Sequence, residues 1–194
     1  MKKLIFTFFF FPLVTFLNAQ SLSGTYYIGA AGTAPGGTNP TFSSLKAACD
    51  SINNSAITGN CTFYITSDII EPYTGSVGIG LAVNPDPYTI TFKPYTGVQP
   101  TITFNYPTDL NSGPSGAFVI GIPGKGNVTW DSLRITKNII FDGSNTNGGT
   151  TRDLTLQSAL TAQRNGMPIV IVGNVSNVVV KNCNIFYKRY CLLT

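Results

Sequence analysis

Asp142, Arg152 and Asp153 lie in the stretch NIIFDGSNTNGGTTRDLTLQ, residues 138–157, between two apolar runs. Two carboxylates and a guanidinium are residue types that acid–base chemistry uses, with one group giving a proton and another taking it. The same residues have a second account. Asp142 precedes Gly143, a place where an aspartate side chain holds its own backbone in an Asx turn. Arg152 and Asp153 are adjacent, and neighbours in an extended chain point to opposite sides, so the two do not easily face one substrate. Turn chemistry explains all three residues, and the sequence favours a structural corner over a catalytic cluster.

Other chemistry is narrowed by what the chain lacks. It contains no histidine, which removes Ser-His-Asp and Cys-His hydrolysis and imidazole metal sites together. Gly124-Lys125-Gly126 fails as a phosphate loop because no Ser or Thr follows the lysine. Gly78-Ile79-Gly80 has Val83 where a dinucleotide fingerprint needs its third glycine, so both glycine pairs read as turns. No cysteine spacing matches the paired short spacings of zinc sites, and neither a metal nor a cofactor is expected. Asn-x-Ser/Thr triplets at Asn53, Asn60, Asn127 and Asn174 are of the kind that arise by chance in an Asn/Thr-rich chain. Tyr73, Tyr88, Tyr95 and Tyr106 sit near Pro and Gly between strand patterns. Their rings are the candidates for stacking on sugars, against the plainer role of packing over corners.

The elements that would position these groups are nearly all strands. TFYIT (62–66), YTITFK (88–93), TITFN (101–105), AFVIGI (117–122), NIIFD (138–142), LTLQ (154–157), PIVIV (168–172) and NVVVKNCNIF (177–186) are β-branched or aromatic, with Pro, Gly and Asn between them. One helix is expected over 42–53, capped by Thr41 or Ser43, with Phe42, Leu45, Cys49 and Ile52 on one stripe. A single helix among so many strands argues against βαβ units. NIIFDG and NVVVKN look like one strand-to-corner unit occurring twice, which favours a stacked coil over an antiparallel sandwich.

The N-terminal residues have the parts of an export signal: Lys2 and Lys3, an apolar run from Leu4 to Leu17, and Ala19 before Gln20. The run is short for a membrane span of ~20 residues. Residues 1–19 are therefore expected as a signal peptide, and 20–194 as one secreted or cell-surface domain with no membrane span after cleavage. The formal net charge of +4 includes two lysines that leave with the signal, and no basic cluster suits nucleic acid. Only 10% of residues are charged, which fits short strands and turns better than a helix-rich protein. In an exported chain disulfides are permitted, and Cys49 and Cys61 close a loop short enough to pair. A bridge there would contribute about 3 kcal/mol on the chain-entropy account. Cys183 falls inside a strand pattern, and the pairing of Cys191 stays open.

SLSGTYYIG, then PTFSSLKAACDSINNSAITGNCTFYI, resembles the opening of secreted right-handed parallel β-helix proteins of the pectin-lyase-like superfamily. In those proteins an amphipathic helix with a similar F-x-x-L-x-x-A pattern caps the coil and leads into its first rung. NIIFDGSN with RDLTL, and VVVKNCNI, resemble their rungs, so the likeness runs from about Leu22 to Ile185. It is strongest to large surface proteins of outer-membrane bacteria that often end in a type IX sorting domain. The resemblance implies an all-β, right-handed parallel β-helix (solenoid) with an N-terminal capping helix. Family members carry many rungs and a terminal cap. This chain stops at YKRYCLLT just after a strand, so it is expected to be a truncated coil or to be covered by further rungs or a partner chain.

The expected function is that of an exported scaffold or adhesin contacting polysaccharide or another cell-surface protein. A polysaccharide lyase or glycoside hydrolase is the alternative, with active rungs at 138–157 or beyond residue 194. Lyase relatives hold calcium on acidic residues and remove a proton with Arg or Lys. Hydrolase relatives use paired carboxylates. A purely structural stalk is the third reading. No lyase or hydrolase motif carries over onto Asp142, Arg152 or Asp153.

Overall fold

The computed structural model describes residues 20–71, 77–80, 85–104, 116–121, 135–158, 167–171 and 173–186. The expected signal, residues 1–19, lies outside them, as do Tyr73, Tyr106, Cys191 and the loop Gly124-Lys125-Gly126. The chain is mostly strand, with one α-helix. Its elements are β1 (Ser21–Ile28), α1 (Leu45–Asn53), β2 (Ala56–Ile65), β3 (Ile69–Glu71), β4 (Val77–Ile79), β5 (Ile90–Pro94), β6 (Thr101–Phe104), β7 (Gly116–Ile120), β8 (Thr136–Asp142), β9 (Leu154–Ser158), β10 (Met167–Ile171), β11 (Val175–Lys181) and β12 (Cys183–Phe186).

The strands form three sheets, and each sheet takes one strand from each successive passage of the chain. One sheet has the order β1-β2-β5-β8-β11, a second β12-β9-β6-β3, and a third β10-β7-β4. Every pairing is parallel. The two strand-to-corner units do stack in register, with Ile139, Ile140, Phe141 and Asp142 beside Val178, Val179, Val180 and Lys181.

One apolar cluster draws from all three sheets and from α1. Parallel in-register pairing places like residues over like, about 4.8 Å apart. An aromatic column results: Tyr26 stacks on Phe63 at 5.0 Å, Phe63 on Phe92 at 5.1 Å, and Phe92 on Phe141 at 4.8 Å. The corners are held by asparagine. Asn138 and Asn177, one residue before equivalent strand positions, both have positive φ, a conformation asparagine tolerates better than most residues. The Asn177 side-chain amide donates to Asn138 Oδ1 at 2.7 Å, and Asn138 donates to the Tyr88 carbonyl at 3.0 Å.

The helix begins later than its apolar spacing predicts. Phe42 bridges to Ile28, with its N–H on the Tyr27 carbonyl, so the chain is still extended there. Ser44, and neither Thr41 nor Ser43, is the N-cap, accepting from the Ala47 N–H at 3.1 Å. Leu45, Ala48, Cys49 and Ile52 form the buried face. Two short strands, β3 and β4, were not expected. Gly78 belongs to β4 and is no turn: a Cβ there would sit 2.0 Å from the Val119 carbonyl oxygen, so two strands approach where only glycine fits. The run 177–186 is two strands. Asn182 has positive φ and turns the chain, after which Cys183 and Ile185 align with buried Leu154 and Leu156. No asparagine of that run has to enter the core.

Candidate functional site

Asp142 closes β8, and residues 143–153 form the corner between β8 and β9. Asp142 Oδ1 accepts from the Ser144 N–H at 3.2 Å, which is the expected Asx turn, and from Asn182 Nδ2 at 2.9 Å. Its Oδ2 lies 3.3 Å from Lys181 Nζ on the next strand. Asp153 points back into the same corner. Its Oδ2 accepts from Thr151 Oγ1 at 2.5 Å and from the Asn145 N–H at 3.0 Å, and its Oδ1 from Gln99 Nε2 at 3.1 Å. Both aspartates are buried and Arg152 is exposed. The Arg152 carbonyl accepts from Asn184 at 3.0 Å.

The electrostatics follow from these partners. Burial alone would raise the Asp142 carboxyl, but the hydrogen bonds from Asn182, Ser144 and Lys181 outweigh it and hold the group below the usual carboxylate range. The hydroxyl of Thr151, then the N–H of Asn145, hold Asp153 below it as well, against a smaller desolvation. A general acid needs its proton near neutral pH. Two carboxylates pinned in the ionised form are poor candidates for that role. Their oxygens are spent on the corner's own backbone and hydroxyl groups. Among the described residues no group of His, Cys, Asp or Glu could hold a metal ion.

The Cys49–Cys61 bridge expected from the sequence is not formed: both thiols are buried and free. Cys49 lies on the α1 face packed against β4, where the backbone of Gly78 interacts with its sulfur. Cys61 lies on β2, and its sulfur donates to the Gly59 carbonyl at 3.5 Å. Burial raises both thiols above their ordinary range, which leaves them inert as nucleophiles. Cys183 is also free, and burial pushes it up to about 11.

Of the four tyrosine candidates, Tyr88 and Tyr95 fall among the described residues, and both are half-buried. Tyr95 packs edge-on against Tyr27 at 5.8 Å and Tyr64 at 5.7 Å, while Tyr27 stacks on Tyr64 at 5.9 Å. Tyr27 and Tyr64 were missed by sequence reasoning. Thr-Tyr-Tyr-Ile at 25–28 and Thr-Phe-Tyr-Ile at 62–65 are the signal that could have found them, since the two strings pair residue for residue. Alternation sends Tyr26 and Phe63 inward, and Tyr27 and Tyr64 to the outer face. Two residues earlier Thr25, Thr62 and Thr91 form an aligned row on that face.

No family model matches the chain, and neither does any curated protein or solved structure.

Proposed function

We propose that this chain is an exported right-handed parallel β-helix of the pectin-lyase-like kind, serving as a cell-surface scaffold that contacts glycans without cutting them. Three parallel sheets, each visited once per passage of the chain, support the coil. Crossovers between parallel strands are right-handed in nearly all proteins. α1 packs on β4, β3 and β1 and serves as the N-terminal cap.

The observation that carries the functional reading is the outer face of the five-stranded sheet. Uncharged hydroxyls from Thr25, Thr62 and Thr91 run beside the tyrosine group of Tyr27, Tyr64 and Tyr95. Aromatic rings with polar tips suit sugar faces, and hydroxyls suit sugar edges. Affinity electrophoresis in gels cast with acidic and neutral polysaccharides tests this. The wild-type chain is expected to be retarded by at least one polysaccharide. Tyr64→Ala should lose most of that retardation while keeping its strand circular dichroism. Unchanged retardation in Tyr64→Ala, or free migration of the wild type in every gel, overturns the reading.

A further inference from the structure

We infer that β11 is a self-complementary edge through which two copies of this chain join about a two-fold axis. β11 is the last strand of its sheet, paired on one side to β8. Among the described residues nothing covers its other side. The Gly143 N–H donates to the Lys181 carbonyl at 2.9 Å, so Lys181 turns its backbone groups toward β8. Alternation then turns those of Val179 the same way, and leaves the N–H and C=O of Val178 and Val180 facing the open edge.

A second copy laid antiparallel and centred on Val179 meets this edge without conflict. Val178 of one copy faces Val180 of the other, twice over. These are the residues with free backbone groups, so each facing pair exchanges two hydrogen bonds, as antiparallel pairing requires. Asn177 faces Lys181, so no like charges are opposed. Val179 faces its own equivalent on the outer face. Val178 and Val180 are the inward residues, half-buried where Ile139 and Phe141 one strand earlier are 0% and 1% exposed. Joining the copies would cover that column. Ile185 on β12, 47% exposed over fully buried Leu156, extends the uncovered apolar rim.

The occupant is a second copy, because the edge matches its own reverse residue by residue and a two-fold contact closes on itself. The asparagines with positive φ, Asn177 and Asn182, bound the flat part of the strand and leave a short, defined pairing site.

Sedimentation equilibrium of the full chain over a wide concentration range tests this. The wild type is expected at twice the chain mass at the higher concentrations. Val179→Lys and Val179→Glu, each opposing like charges at the axis, should sediment as monomers with unchanged circular dichroism. Mixed in equal amounts, the two variants should regain the double mass. A wild type that stays monomeric overturns the inference. So does a dimer that Val179→Lys leaves intact, a mixture that stays monomeric, or growth beyond dimers.

Discussion

At the scale of single residues, the polar groups between 138 and 157 are corner pieces. Gly143 shows how tightly the corner is built, since a Cβ there would lie 1.8 Å from the Asn182 carbonyl oxygen of the next strand. Gly143→Ala should cost about 1–3 kcal/mol by overpacking, read as a lower urea midpoint at an unchanged slope. Titration offers a test with two signs. Asp142 and Asp153 have lowered values in the fold, so their contribution is present above the unfolded value near 3.9 and is lost as pH falls through the folded one. The melting-temperature advantage of wild type over Asp142→Asn/Asp153→Asn should shrink as pH drops from about 5 to below 3. Glu71 runs the other way. It accepts from the Leu45 and Lys46 N–H groups at the start of α1, yet burial outweighs those bonds and raises its carboxyl. Stability from this group is full below its unfolded value near 4.3 and is lost as pH rises through the folded one. Relative to Glu71→Gln, wild type should therefore lose melting temperature between about pH 4 and pH 7. A difference flat with pH would contradict the assignment. The Asx turn at Asp142 was legible, because Asp before Gly needs no tertiary information. The partners of Asp153 were not, because Gln99 comes from a distant part of the chain.

Elements were legible where a local pattern decides them. Long β-branched runs gave strands β5, β8, β9 and β11, and helical spacing gave the buried face of α1. What tertiary contact decides was missed. The start of α1 moved because Phe42 is claimed by a bridge to β1. β3 and β4 have three residues each, too few for periodicity to show. The break at Asn182 looked like an ordinary position in one long strand, since asparagine's tolerance of positive φ is visible only when the corner is built. The disulfide failed for a related reason. Cys49 and Cys61 are close in sequence, but α1 turns one toward β4 while β2 holds the other in its own layer. Two substitutions probe the elements. Asn138→Ala removes the acceptor of Asn177 and the donor to Tyr88, and should cost about 1–3 kcal/mol. Phe92→Ala opens the middle of the aromatic column, and should cost about 3–5 kcal/mol in the same unfolding measurement.

At the scale of the whole molecule, repetition does most of the work. One passage of chain sets a row of inward apolar residues, and parallel register copies the row onto the next. The repeated units NIIFDG and NVVVKN made that stacking readable in the sequence, and the paired Thr-aromatic-Tyr-Ile strings would have extended it to the outer tyrosines. Export is the expectation that this architecture fits but does not test. Expressed in a Gram-negative host, the mature protein should begin at Gln20 by N-terminal sequencing, and an intact Met1 would remove the signal. The central claim is that the coil holds glycans and that its aspartates do not cut them. Chain length of each polysaccharide after prolonged incubation with the protein, read by size-exclusion chromatography with refractive-index detection, tests this most directly. Unchanged length for every polysaccharide that binds is the expected result. Shortened chains that stay intact with Asp153→Asn would make the 142–153 corner an active site and contradict the account.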